Sequence, residues 1–127
     1  MTHCFLYITN NTSAPWSTAL RRSLSIFGEL QITPEEQWAN ETQLCQYSVA
    51  FIDAASVADV PTLITALRRQ CPTLRIVVAT SSPTWKQARE AMQAGAVDYI
   101  RKTPDLVELH TQIDFVLKNP PSSLPAN

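Results

Sequence analysis

Three polar side chains stand at the ends of apolar runs in this chain and are candidates for a common site. Asp53 ends the run YSVAFID, Thr80 ends RIVVAT, and Lys102 ends GAVDYIRK. Ligands and chemistry lie outside the carboxyl ends of the strands in an open parallel sheet, so the three groups are expected to converge. A carboxylate can act as a nucleophile, and an ammonium group can hold an anion or pair with that carboxylate.

Length, charge and hydropathy limit the classes of protein to which the chain can belong. It has 127 residues, 45% of them hydrophobic, which suits one domain burying roughly two-thirds of its unfolded surface. We predict a domain over residues 1–118 and a linker or tail, rich in proline and serine, over 119–127. A formal charge of −1 argues against direct nucleic-acid binding. Without a membrane span or signal peptide, the sequence predicts a cytoplasmic protein.

The cysteines, histidines and glycines argue against several kinds of site. Cys4, Cys45 and Cys71 are odd in number and far apart, so we expect three reduced thiols. Each histidine stands without the three or four ligands that a metal ion needs. The chain has only two glycines, both at predicted helix ends, and therefore has no glycine-rich phosphate loop. An enzyme or nucleotide binder of flavodoxin-like fold is consequently not favoured.

Strand and helix patterns alternate along the whole chain. The five predicted strands cover residues 4–9, 30–32, 47–52, 74–80 and 96–101. Each strand is followed by a predicted helix, and these five helices begin near Ser13, Thr33, Pro61, Ser82 and Leu106. The first ends at Gly28, the second near Leu44 and the fourth at Gly95. Short connections between such units predict an α/β fold, a parallel (βα)5 sheet with helices on both faces.

Residues 4–118 resemble the receiver domain of bacterial two-component response regulators. The resemblance places Lys102 at the family's lysine, Tyr99 at its switch aromatic, Thr80 at its hydroxyl position and Asp53 at its phosphoacceptor aspartate. It implies the flavodoxin-like, doubly wound strand order 2-1-3-4-5. It also implies a partner or dimer surface on the fourth helix, the fifth strand and the fifth helix. Tyr99 and Trp85 are its candidate contacts, the alternative for each being ordinary packing.

One departure from the family pattern changes the expected chemistry. Receiver domains end the first strand with two acidic residues that bind Mg²⁺ together with the phosphoacceptor, whereas Thr9 and Asn10 stand here. Magnesium prefers anionic oxygen ligands, and a single carboxylate is expected to bind it weakly. Lys102 then has Asp53 as its natural counter-ion, without metal or phosphate.

Two hypotheses about function follow. The first is a pseudo-receiver: a signalling module that acts through contacts with a protein partner or a second copy of itself, with weak or absent phosphorylation of Asp53 and no cofactor. The alternative is a working receiver in which Asp53 takes phosphate from a histidine kinase, with Mg²⁺ as cofactor and Thr80 and Lys102 holding the product oxygens.

Overall fold

Five parallel strands form one sheet in the computed structural model, which describes residues 3–11, 15–40, 44–103 and 105–118. The strands are β1 (His3–Ile8), β2 (Gly28–Thr33), β3 (Val49–Asp53), β4 (Arg75–Thr80) and β5 (Asp98–Arg101). The α-helices of the described residues are α1 (Pro15–Leu24), α2 (Val60–Gln70), α3 (Trp85–Ala94) and α4 (Leu106–Lys118). The strand order is β2-β1-β3-β4-β5, which confirms the predicted topology.

Both faces of the sheet are buried, which explains the nearly continuous apolar runs of the strands. Successive side chains of β1 point to opposite faces: Phe5 and Tyr7 pack against residues of α1 and α4, whereas Leu6 and Ile8 pack against residues of α2. All five residues of β3 are buried. The central strand is therefore covered on both faces, and the Asp53 side chain at its end is buried as well.

The predicted second helix is wrong. Between β2 and β3 the described residues form two 3-10 segments, Glu35–Asn40 and Leu44–Gln46, instead of an α-helix. Trp38 is the one large apolar side chain between Pro34 and Leu44, and it is only partly buried. A lone apolar residue cannot form the stripe along one helix face that stabilises a surface helix by packing.

The helix α3 has well-formed ends but little buried surface. The Thr84 hydroxyl accepts a hydrogen bond from the Gln87 amide at its start, and Gly95, with φ of 120°, ends it as predicted. Ala91 is its one buried residue, while Trp85 and Met92 lie exposed on the outer face. This helix is therefore attached to the sheet by few apolar contacts.

The prediction of three reduced thiols is wrong for two of them. Cys45 and Cys71 form a disulfide between the second 3-10 segment and the C-cap of α2, and Cys4 is a free thiol. Their Cα atoms lie 5.6 Å apart although 26 positions separate them in sequence. Spacing along the chain could not reveal this pair, because the fold alone brings the two ends of the loop together.

Some predictions fall outside the described residues. These are the helix start at Ser13 and the tail 119–127, so the division into a domain and a tail stays a prediction. Within the ranges that the structure describes, no helix is long and apolar enough to cross a membrane.

Candidate functional site

The carboxylate of Asp53 is the centre of the site and is nearly fully buried. It accepts four hydrogen bonds. Oδ1 accepts from the Lys102 ammonium at 2.6 Å and from the Ala55 amide at 3.1 Å. Oδ2 accepts from the Thr9 hydroxyl at 2.7 Å and from the Ser56 hydroxyl at 3.1 Å. A carboxylate offers about four lone-pair positions, so the acceptor capacity of Asp53 is used up by the protein itself.

Lys102 lies between Asp53 and an aromatic ring. Its Nζ is 5.8 Å from the centroid of the Trp16 ring, and 11% of its side chain is exposed. The Trp16 indole donates a hydrogen bond to the backbone oxygen of Thr103 at 3.0 Å and meets the Tyr7 ring edge-on. The ammonium group is thus held by charge on one side and by the electron-rich indole on the other.

Thr9 and Asn10, which follow β1, are part of the same hydrogen-bond network. The Thr9 hydroxyl, while donating to Asp53, accepts from the Asn11 amide at 3.0 Å. The Asn10 amide group donates to the backbone oxygen of Ser56 at 2.9 Å, and its Oδ1 accepts from the Glu35 backbone at 3.0 Å. Hydrogen bonds of Thr9 and Asn10 therefore tie the end of β1 to the loop after β3.

Three other candidate residues make no side-chain hydrogen bond or ion pair with Asp53 in the described part of the chain. The buried Thr80 hydroxyl accepts from the Ser82 amide at 3.2 Å and so supports the turn after β4. Tyr99 donates its hydroxyl to Gln87 of α3 at 3.1 Å. Trp85 is 74% exposed and lies against the guanidinium of Arg89 at 4.9 Å. The structure thus brings the side chains of Thr9, Asp53 and Lys102 together. Thr80 contacts this group through its backbone, whose oxygen accepts from the Lys102 amide at 2.7 Å.

Burial and the neighbouring positive charge have opposite effects on the pKa of Asp53. Burial raises the pKa of Asp53, but hydrogen bonds from Lys102, Thr9 and Ala55, with the Lys102 charge, more than offset it and hold the pKa below 3.8. Tyr7, whose hydroxyl is buried, has its pKa raised by burial and then by the nearby Asp53 charge. Asp53 is consequently ionised at neutral pH and Tyr7 is neutral.

This lowered pKa predicts how stability depends on pH. The pKa of Asp53 is lower in the folded protein than in the unfolded chain, where it is near 3.8. Its ionised carboxylate therefore contributes its full stabilisation at pH values above the unfolded pKa. This contribution is lost as the pH falls through the folded pKa. Urea unfolding of the wild type and of Asp53→Asn will measure the effect. We expect the stability difference between them to be largest at neutral pH and to shrink below about pH 4. A constant difference across that range would contradict this account.

The residues around Asp53 do not fit a magnesium ion. Mg²⁺ needs oxygen ligands with lone pairs to spare, and the Asp53 oxygens already accept four hydrogen bonds. Oδ1 of Asn10 is likewise engaged by the Glu35 amide. No group of three or more His, Cys, Asp and Glu residues that could hold a metal occurs in the described part of the chain.

The sequence analysis did not place Ser56, Glu35 or Trp16 at the site. Ser56 bonds Asp53, and Glu35 accepts from the Ala58 amide of the same loop at 3.3 Å. Trp16 is buried in the core and also covers Lys102. The spacing of Ser56 three residues after an aspartate was the only available signal, since such serines often bond back to the aspartate.

The fold of this chain is similar to that of response-regulator receiver domains of known structure. No family model and no curated protein sequence matches the chain. Solved structures do match in fold, with five parallel strands in order 2-1-3-4-5 and a flavodoxin-like topology.

Three such structures illustrate the likeness. An orphan response regulator of H. pylori has a TM-score of 0.77 at 17% identity, covering 91% of this chain and 97% of that one. A response regulator from Thermotoga maritima has a TM-score of 0.76 at 18% identity, and the match covers 94% of this chain and 100% of that one. An atypical orphan response regulator with a phosphorylation-independent regulatory mechanism has a TM-score of 0.74 at 16% identity. The match covers 98% of this chain and 99% of that one.

Proposed function

We propose that this chain is a receiver-like signalling module that acts through protein contacts and is not switched by phosphorylation of Asp53. The observation that carries the proposal is the saturated carboxylate. Both oxygens of Asp53 are engaged by donors of the protein, with Lys102 at 2.6 Å. To attack a phosphodonor, Asp53 would have to break some of these bonds inside a buried site.

Phosphoryl transfer also needs cations around the equatorial oxygens of the transferred group. Lys102 is the one cation in contact with Asp53 among the described residues, and it already forms the ion pair. Thr9 and Asn10 offer neutral groups where the family has acids. The module that we propose therefore needs neither Mg²⁺ nor a histidine kinase. The atypical orphan regulator with a phosphorylation-independent mechanism supports this by analogy of fold.

The contact surface that we propose is the face of α3, β5 and α4. Trp85, Arg89 and Met92 follow one another at spacings of four and three along α3 and form one exposed stripe. Val107 and Phe115, eight positions apart, lie exposed on α4 at 74% and 57%. The edge strand β5 lies between the two helices in sequence. Exposed large apolar side chains on neighbouring elements mark a surface suited to a protein partner or a second copy.

Treatment with a small phosphodonor, followed by intact mass measurement, tests the proposal. The chain is incubated with acetyl phosphate and Mg²⁺, and the mass is read before hydrolysis can remove an acyl phosphate. We expect no added phosphate on the wild type. A phosphate adduct that needs Mg²⁺ and disappears in Asp53→Asn would overturn the proposal and establish the working receiver instead.

A further inference from the structure

A cavity of about 230 Å³ lies between the start of α2 and the helix α3. Its apolar lining comes from Val57 in the loop after β3, Val60 at the start of α2 and Val78 of β4. Tyr99 of β5 adds an aromatic ring. Val57 and Val78 are buried. The cavity exists because α3 packs loosely, with Ala91 as its one buried residue.

The polar lining of this cavity is negatively charged. Asp59, the N-cap of α2, and Glu90 of α3 line it from two different helices, and no Lys, Arg or His is among its lining residues. Asp59 Oδ1 accepts a hydrogen bond from the Thr62 amide, whereas the Glu90 carboxylate makes no hydrogen bond or ion pair with the described residues. A cation entering the cavity would therefore meet two carboxylates and no positively charged lining residue.

Size and shape limit what such a cavity can receive. Pockets for drug-sized ligands usually measure 300 to 1,000 Å³, so this one suits a single side chain. Its occupant must present an apolar stem to the valines and a positive end to the carboxylates. Arginine has both, and its planar guanidinium group also stacks on aromatic rings such as Tyr99.

We propose that this cavity receives an arginine side chain of a protein partner. The inference rests on the proposed function as a contact module and adds the chemistry of the partner. It also links partner binding to Tyr99, because the Tyr99 ring lines the cavity and its hydroxyl is held by Gln87, another lining residue. The partner is thus expected to contact α3 on both its exposed stripe and its inner side.

Titration of the ¹⁵N-labelled full chain with N-acetyl-arginine amide tests the cavity directly. We expect saturable shifts, in the millimolar range, of the backbone amides of residues 54–60 and 87–90. The matched probe is the citrulline counterpart, which has nearly the same shape without the charge. It is expected to bind at least fivefold more weakly, the effect of losing the ion pairs.

Two variants remove charge from the cavity without removing structure. Glu90→Gln lies on an exposed helix surface and is expected to raise the dissociation constant about threefold. Adding Asp59→Asn, which keeps a good N-cap, is expected to bring the loss to about tenfold. Glu29→Gln, on the opposite edge strand β2, is the charge-matched control and is expected to leave binding unchanged. Circular dichroism will show whether each variant is folded.

Several results would overturn the assignment. They are no saturable shift, equal binding of arginine and citrulline probes, or equal losses for Glu90→Gln and Glu29→Gln. The same backbone amide signals could also shift when the protein is concentrated without any probe. That result would assign the cavity to contact with a second copy of this chain and would contradict the proposal. The phosphodonor experiment does not depend on arginine binding. If the arginine probe does not bind, the proposed function still stands. If Asp53 is phosphorylated, the binding of the arginine probe to the cavity can still be interpreted.

Discussion

Replacing Lys102 by methionine is expected to lower the free energy of unfolding by about 3 kcal/mol at neutral pH. The substitution removes the ammonium group that Asp53 contacts at 2.6 Å and leaves a buried carboxylate without its cation. Breaking one partner of a buried pair is costly because the remaining charge stays desolvated. Urea denaturation at neutral pH measures the loss.

Two further variants decide whether the loss comes from the orphaned charge. The double variant Asp53→Asn, Lys102→Met removes both charges and is expected to recover most of the lost stability, since neutral replacement of a buried pair is often tolerated. Lys118→Met breaks the exposed pair between Lys118 and Asp114 and is expected to cost less than about 0.5 kcal/mol. Equal losses for Lys102→Met and Lys118→Met would show that the site pair behaves as a surface pair.

Restoring acids at the end of β1 is expected to convert the site into one that depends on magnesium. In Thr9→Asp, Asn10→Asp, a second carboxylate replaces the hydroxyl that lies 2.7 Å from Asp53 Oδ2. Without metal, the like charges repel and the variant is expected to unfold more easily than the wild type. With Mg²⁺ at about 100 times its dissociation constant, binding stabilises the folded variant by about 2.7 kcal/mol.

Thermal unfolding in EDTA and in excess Mg²⁺ measures this effect. The wild type is expected to unfold at the same temperature in both conditions, whereas the double variant gains stability only with Mg²⁺. Thr9→Asn, Asn10→Gln is the neutral control, which also disturbs the hydrogen bonds but adds no charge. Magnesium stabilisation of the wild type as large as that of the acidic variant would refute our view of the site.

The order of the elements was accessible from the sequence because it follows from local patterns. Buried strands appear as apolar runs, and Gly95 and the prolines mark helix ends. The strand order itself came from the resemblance to receiver domains, and the sheet confirms it. The second helix was predicted wrongly because Thr33, Pro34 and Glu36 give good helix-start signals. Those signals do not reveal that too little apolar surface follows to stabilise the helix.

The site was accessible in part. Parallel strands bring their carboxyl ends to one edge, so the meeting of Asp53 and Lys102 followed from topology. Their roles toward phosphate, and that of Thr80, stay predictions. Trp16 and Ser56 could not be placed at the site in advance because their positions depend on how α1 and the loop after β3 pack. A hydrogen bond from a loop serine is a property of tertiary structure, for which sequence spacing is weak evidence.

The link between Cys45 and Cys71 has a consequence for the unfolded chain. While it is intact, denaturation leaves residues 45–71 as a covalent ring that contains all of β3 and α2. In the chain-entropy description, closing a ring over 26 positions lowers the entropy of the unfolded state by an amount equivalent to about 3.5 kcal/mol at room temperature. Refolding of the oxidised chain thus starts with the two ends of the Asp53 segment already joined.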